Sequence, residues 1–582
     1  MKIYIYSIIA LCIIAFSSCD DLFSPANENN RSKEEIYDEP GFAQGILLNG
    51  YTRIPTGSWS FNDVATDNAV SNDKNNNYLK AVTGQWRSNF NPFDQWQNSK
   101  AAIQYLNIIL AESDKVKWAI DENVSSMFND RMKGEAYGLR ALFMFHMLQA
   151  HGGWSESGEL LGVPIILDPE SPTSDFNQPR ASFEDCLQQI YSDLDAAEEL
   201  LPLDYEDIKN DSEIPSKYVG TGIDKDDYNR VFGEHLRQRI TKRICMGIRS
   251  KATLLAASPA YSEGTTATWE NAANHAADVL DLIGGIDGID PNGLTWYANG
   301  SEIDNLAKGV NPKEILWRGG VSNSNSLETD HYPPSLYGKG RLNPTQNLVD
   351  AFPMLDGYPY SSSETPYENR DPRLQKYIVV NGSKAGPSDK VIKTEVDANN
   401  NDGIGTAETS TRTGYYLRKL LRKEVNLDPV TKNEQKHYTP HIRYTEIFLI
   451  YAEAANEAWG PQSRGGRNYS AYDVIKAIRK RAGIGLSNGD AYLESIKTDK
   501  EKMRELIRNE RRLELCFEGF RFWDLRRWNE NLTEAASGVR ISNGKYTKVT
   551  VENRNYQAYM NYGPIPYSEL LKFDALVQNK GW

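Results

Sequence analysis

Asp130-Arg131-Met132-Lys133-Gly134-Glu135-Ala136-Tyr137-Gly138-Leu139-Arg140-Ala141-Leu142-Phe143-Met144-Phe145-His146-Met147-Leu148-Gln149-Ala150, followed at once by His151-Gly152-Gly153, is the stretch on which the fold turns. Its apolar residues recur at helical spacing, yet Met132, Ala136, Leu139, Leu142, Phe143, Phe145 and Met147 crowd more than one face. A helix with so little polar surface packs against neighbours on several sides, so it belongs deep inside a helical body. The glycines stop it.

Helical patterns continue on both sides. Asp94–Glu112 supplies Trp96, Ala101, Ile103, Leu106, Ile108 and Leu110 to its apolar side. Ser182 is placed to cap the next helix, with Asp185 at the third helical position. Phe183, Leu187, Ile190, Leu194 and Ala197 then run to a stop at Pro202. Alanine-rich helices are expected at about 235–257 and 268–283, and others at 441–458, 470–482 and 499–518, with a shorter turn near Phe520–Trp528. Antiparallel pairs suggest a tetratricopeptide-like solenoid, although its period of roughly 34 residues is not cleanly repeated.

Between about 285 and 435 the pattern changes. Gly, Pro, Asn and Ser interrupt short runs such as Glu314-Ile315-Leu316-Trp317 and Lys376-Tyr377-Ile378-Val379-Val380, which read as isolated strands in a loop-rich insertion without helices. Insertions of this length often carry function.

The N-terminus reads as an export signal. Met1-Lys2 supplies one charge, Ile3 to Phe16 an apolar run, and Ser17-Ser18-Cys19 a lipobox-like end with phenylalanine where leucine is more usual. Residues 1–18 are therefore expected to be removed, leaving Cys19 lipidated. The run falls short of the ~20 apolar residues that span a bilayer, and nothing later reaches that length without charges. The chain is expected to be anchored to a membrane, not to cross it. Residues 19–40, opening Asp20-Asp21 and rich in Asn, Glu and Ser, read as a flexible tether, and 41–582 as the body.

A formal charge of -14 argues against nucleic acid and against a polybasic membrane patch. Cys186, Cys245 and Cys516 sit far apart in helical patterns and are expected to be buried thiols. No G-x-S-x-G elbow, phosphate loop or H-E-x-x-H is present. Glu510 and Glu514 stand one turn apart, at the ~5–6 Å separation of retaining-glycosidase carboxylates. With Arg508, Arg511, Arg512, Arg521 and Arg526 nearby, a structural ion-pair role is favoured and no catalytic residue is assigned. Asp397, Asn399, Asn401 and Glu408 approach a calcium loop, but its glycine falls one place late at Gly403 and flanking helices are missing. No cofactor or metal is expected.

An ordered series of motifs resembles the SusD/RagB family, the surface nutrient-binding lipoproteins of Bacteroidota. It begins with Arg140-Ala141-Leu142-Phe143-Met144-Phe145, His151-Gly152-Gly153-Trp154 and Arg180-Ala181-Ser182-Phe183-Glu184. Asn343-Pro344-Thr345, Asp356-Gly357 and Asp371-Pro372-Arg373 follow. Tyr451-Ala452-Glu453-Ala454-Ala455-Asn456, Glu510-Arg511-Arg512-Leu513-Glu514, Glu518-Gly519-Phe520-Arg521 and Asp524-Leu525-Arg526-Arg527-Trp528 close it. The resemblance implies a mostly α SusD-like fold, with about four tetratricopeptide-like helix pairs and a loop-rich ligand-binding half carrying short strands. It also implies a SusC-like TonB-dependent transporter as partner, the cell outer membrane as location, and an outward-facing lipid-anchored body.

Sugar binding needs aromatic faces against pyranose C–H faces and neighbouring polar side chains for the hydroxyls. Tyrosine (32) and tryptophan (12) are plentiful, and two loop regions carry the mixture. The first offers Asp67, Asn68, Tyr78, Trp86 and Arg87 as ligand candidates, with Trp59, Asp63 and Gln85 around them. The second offers Trp296, Tyr297, Tyr332 and Tyr337, with Asn299 and Asn323. Trp317, Trp523 and Trp528 are assigned to structure. Glycan capture is the leading reading; a peptide-binding or structural subunit of an uptake complex and a glycoside hydrolase are the alternatives.

Overall fold

The computed structural model describes residues 35–362, 365–396 and 399–582. The signal sequence, Cys19, Asp20, Asp21 and Asp397 lie outside the described residues. The expected tether is shorter at its far end, because residues 35–40 already belong to the body. Glu35–Asp38 forms a helical turn in which Ile36 is buried, the Tyr37 hydroxyl donates to Glu112 Oε2 at 2.6 Å, and Lys117 N donates to the Tyr37 carbonyl.

Ten helices position the rest: α1 Pro40–Tyr51, α2 Trp96–Glu112, α3 Glu122–His151, α4 Phe183–Leu200, α5 Lys242–Ala257, α6 Trp269–Asp281, α7 Tyr444–Trp459, α8 Ala471–Ala482, α9 Lys500–Glu514 and α10 Arg521–Arg527. Each of α2 to α8 packs on the next, and α9 lies against both α7 and α8. Four consecutive pairs, α2/α3, α4/α5, α6/α7 and α8/α9, therefore form the expected solenoid. The insertion after α6 leaves this stack and returns to it, so α7 settles beside α6. Alanines permit the close approach: Ala272, Ala273, Ala276 and Ala277 of α6 and Ala452, Ala454 and Ala455 of α7 are fully buried.

Local chemistry sets the helix ends. Asp121 caps α3 by accepting from Asn123 N and Val124 N, and Ser182 caps α4 by accepting from Asp185 N at 2.9 Å. Gly152 follows the last turn of α3 in an extended conformation and admits no side chain: a Cβ there would meet the Leu148 carbonyl at 2.6 Å and the Phe183 ring at 2.9 Å. α3 carries the central polar clamp. Arg140 donates to both carboxylate oxygens of Asp193 on α4 (2.8 and 2.6 Å) and to Asn107 Oδ1 on α2 (2.9 Å), so one guanidinium registers three helices.

The insertion departs from expectation. Short helices Gly300–Asn305, Ser326–His331, Gln346–Ala351 and Pro372–Tyr377 interrupt it, and the run at 376–380 gives only the two-residue strand Ile378–Val379. Thr345 caps one helix by accepting from Leu348 N, and Asp371-Pro372 starts another, with proline at the first helical position. The longest strands, Ala536–Ser542 and Lys545–Glu552, pair as an antiparallel hairpin about Asn543-Gly544, both at positive φ. That dipeptide is a hairpin signal the sequence reading passed over.

The C-terminal motifs form buried ion pairs. Arg527 donates to both oxygens of Glu453 at 2.6 Å and also to Asp524, which faces Arg511. Arg443 bridges Glu518 and Glu314, and Arg479 joins Asp490 to Glu510. Cys186, Cys245 and Cys516 are buried free thiols. No described helix is long and apolar enough to cross a membrane.

Candidate functional site

A cleft of about 1260 Å³, open to solvent, lies where α3, α5, α7 and α10 meet the loop at 55–62. Its aromatic side is continuous. The Tyr78 ring sits 5.3 Å from Phe93, and Trp523 meets Phe93 edge-on at 6.2 Å and 78°. Trp59 and Phe520 complete the lining, and Trp59, Tyr78, Phe520 and Trp523 are all half-buried, with surface left to offer. Burial pushes the Tyr78 phenol up to about 12, so it stays protonated as a hydrogen-bond donor.

The floor is polar and charged. Lys251 Nζ of α5 lies 2.8 Å from Glu446 Oε1 of α7, with the ammonium 5.6 Å from the Phe520 ring centroid. Burial, reinforced by the Lys251 charge, holds His146 down at about 3 and His441 at about 4, so both rings are neutral at physiological pH. His441 Nδ1 lies 2.8 Å from the Thr56 hydroxyl and 3.1 Å from the Thr56 carbonyl. Three lining atoms are buried without a hydrogen-bond partner: Glu446 Oε2, Asn62 Oδ1 and Arg511 Nη1. Half-buried aromatic faces beside charged and polar side chains suit a ligand with an apolar face and many hydroxyls.

Of the residues singled out from sequence, Tyr78 and Trp59 line this cleft. Most of the others are scaffold, because their faces are already covered. Trp86 is 2% exposed: its indole N–H donates to Asn91 Oδ1, and Phe93, Trp582 and the Arg526 guanidinium surround its ring. Trp296, also 2% exposed, is walled in by Trp59, Tyr297 and Tyr438. The hydroxyls of buried Tyr297 and Tyr332 donate to the carbonyls of Lys376 and Arg422. Asp67 is gripped by Arg521 (2.9 and 2.7 Å) and Arg512 (3.0 Å). Burial would raise its carboxyl, but these two charges outweigh that and hold it well below the usual range. Asn68 accepts from Arg512 Nε and donates to Asp63 Oδ1. These two residues fasten the 62–68 segment to α9 and α10. Arg87 is exposed beside a separate hollow with Tyr559, Tyr567 and Trp582. Tyr337, exposed at a positive φ of 65°, stands apart from the cleft.

Trp523 corrects the sequence reading in the opposite direction, since the residue assigned to structure lines the cleft. Phe93, His146, Lys251, His441, Glu446 and Phe520 were also missed. They come from helices, a strand and a turn, and only tertiary packing brings them to one space.

Glu510 and Glu514 lie far from such openness. Both are fully buried, Arg373 reaches them at 2.8 and 3.1 Å, and Arg479 and Arg481 take the remaining contacts. Burial opposes ionisation of Glu514, but Arg481, Arg373 and Arg443 prevail and hold it at about 2, the reverse of a general acid. Among the described residues no group of three or more His, Cys, Asp or Glu is placed to hold a metal ion.

Two family descriptions match this chain: residues 309–582 match the SusD family and residues 43–217 match "Starch-binding associating with outer membrane". The chain belongs to the SusD family. A SusD-like protein of Formosa agariphila is 21% identical over 554 residues, covering 91% of this chain and 92% of the relative. A SusD-like protein from Bacteroides fragilis has the same fold, with a TM-score of 0.72 and 23% identity over 96% of this chain and all of that one, the matched share being 100%. A SusD-like carbohydrate-binding protein from the same organism gives a TM-score of 0.68 at 20% identity, covering 93% of this chain and 99% of that chain. The SusD-like fold is therefore common to this chain and the two Bacteroides fragilis structures.

Proposed function

We propose that the protein is a non-catalytic, lipid-anchored glycan receptor on the outer face of the outer membrane. It captures an oligo- or polysaccharide in the cleft between Trp59, Tyr78 and Trp523 and delivers it to a SusC-like TonB-dependent transporter. The observation that carries this reading is the aromatic wall Tyr78–Phe93–Trp523 sharing one open cleft with the Lys251–Glu446 pair. Pyranose rings satisfy both halves at once. The outer-membrane and starch-binding wording of the matched family description, and the carbohydrate-binding relative, support the same ligand class. Binding needs no metal or cofactor, and attachment runs through Cys19.

The test is retention on polysaccharide-loaded native gels. Trp59→Ala combined with Trp523→Ala removes two faces of the cleft and is expected to release the protein from its cognate polymer while thermal unfolding stays cooperative. Unchanged retention on every polymer that holds the wild type would reject the cleft as the site. Loss of surface labelling and of transporter co-purification in Cys19→Ala is the expected result for the anchor; normal surface display would contradict it.

A further inference from the structure

A second cleft, of about 830 Å³, shares no lining residue with the first. Three elements supply most of its described lining, with Val539 and Tyr415 behind them. The hairpin strand Lys545–Glu552 contributes Tyr546 and Lys548, two residues apart and so on one face. The short helix Gln346–Ala351 contributes Gln346 and Asp350, one turn apart. The loop after Met354 contributes Tyr360 and Tyr367, both half-buried.

The tyrosines are set at angles to one another around this space. Tyr367 meets Tyr546 edge-on at 5.7 Å and 79°, and meets buried Tyr415 at 6.2 Å and 81°. Tyr360 lies on the Arg370 guanidinium at 3.6 Å, and Arg370 itself is pinned by donating to the carbonyls of Val349, Phe352 and Pro366. Beneath the rings runs a hydrogen-bond ladder of fixed polarity. Tyr415 donates to Gln346 Oε1 at 2.6 Å, so in the 3.1 Å contact between the two phenols Tyr367 is the donor and keeps its oxygen lone pairs. Gln346 Nε2 donates to Asp350 Oδ1 (2.7 Å), and Lys548 Nζ closes the ladder on Asp350 Oδ2 (3.0 Å).

We infer that this cleft is a second carbohydrate subsite, selective for neutral glycans. The inference rests on the glycan-receptor reading above. Aromatic faces suit pyranose rings, the Tyr367 oxygen accepts from a sugar hydroxyl, and the unused N–H groups of Lys548 donate to one. Neutral selectivity follows from charge: among the described lining residues the one acid, Asp350, and the one base, Lys548, neutralise each other. Among the described lining residues an acidic sugar finds no cation without a carboxylate partner, and the Arg370 guanidinium is buried behind Tyr360. Two separated subsites let a long polymer engage twice while a short oligosaccharide engages once.

The experiment uses the soluble mature protein labelled with 3-fluorotyrosine, in the Trp59→Ala/Trp523→Ala background that disables the first cleft. Laminarin, soluble starch, galactomannan and polygalacturonate are the probes, and single Tyr→Phe variants assign the fluorine resonances. The expected result is that at least one neutral glycan shifts Tyr360, Tyr367 and Tyr546 while polygalacturonate shifts none. In the otherwise wild-type protein, Tyr360→Ala/Tyr546→Ala is expected to weaken retention on that polymer by about threefold or more. Tyr360→Phe/Tyr546→Phe, which keeps the rings and the fold, is expected to retain it. No shift with any neutral glycan, or a shift with polygalacturonate alone, overturns the second subsite. If wild-type protein still binds glycans in that case, the receptor reading stands; if it binds none of them, both fall.

Discussion

The Trp59 indole stacks on the Trp296 indole, with ring centroids 6.2 Å apart and planes 30° from parallel. The two rings are not equivalent, because Trp296 is 2% exposed and Trp59 is half-buried on the cleft. Trp296→Ala is expected to leave a core cavity and cost about 3–5 kcal/mol. Trp59→Ala is expected to cost less in urea unfolding and to lose glycan retention. Equal stability losses for the two variants would contradict this division of labour.

Glu453 binds both terminal nitrogens of Arg527 and also accepts the Trp528 indole N–H, each at 2.6 Å. Glu453→Gln removes the charge and leaves a buried guanidinium with Asp524 as its remaining carboxylate, itself shared with Arg511. A loss of about 3–5 kcal/mol is expected from breaking such a pair. Chemical denaturation of the variant measures it.

Stability is expected to fall in two stages on acidification. Burial holds His146 at about 3, below its ordinary 6.5, so the unfolded chain takes up this proton first. His331 and His441, each at about 4 through burial, behave alike. Their contribution is intact above about pH 6.5 and is lost as pH falls from there toward 3–4. Glu514, held at about 2 against an ordinary 4.5, adds a loss only below about pH 4.5. Melting temperature against pH is therefore expected to slope downward below 6.5 and to steepen below 4.5. His146→Gln is expected to flatten the first part of the slope alone.

Gly152 has no room for a side chain at the end of α3. Gly152→Ala drives a methyl into the Leu148 carbonyl and the Phe183 ring, and a loss of about 1–3 kcal/mol is expected from the overpacking. A melting temperature equal to that of the wild type would show that the two neighbours yield freely.

Much of the helical framework was legible because its signals are local. The crowded apolar faces of α3, the Ser182 cap and the alanine runs of α6 each act within a few turns of chain, and each appears where its pattern indicated. The short helices of the insertion were less visible, since six residues carry too little periodicity and only a cap such as Thr345 or Asp371-Pro372 marks them. The site was the hardest part to read. A loop tryptophan beside Asn and Asp looks the same whether its face meets solvent or another ring. Trp86 and Trp296 therefore looked like ligand platforms, and Trp523 like filler.

Family and helix pairing were determined by the amino-acid sequence alone, because spacing and capping are short-range properties. The ion-paired role of Glu510 and Glu514 was also legible, but their partners are the distant Arg373, Arg479 and Arg481 in place of the neighbouring arginines expected. Which aromatics remain open was decided only by the tertiary structure. Exposure is set by what packs against each ring, and those partners come from distant parts of the chain: Trp59 on Trp296, Phe93 on Phe522, Lys251 on Glu446.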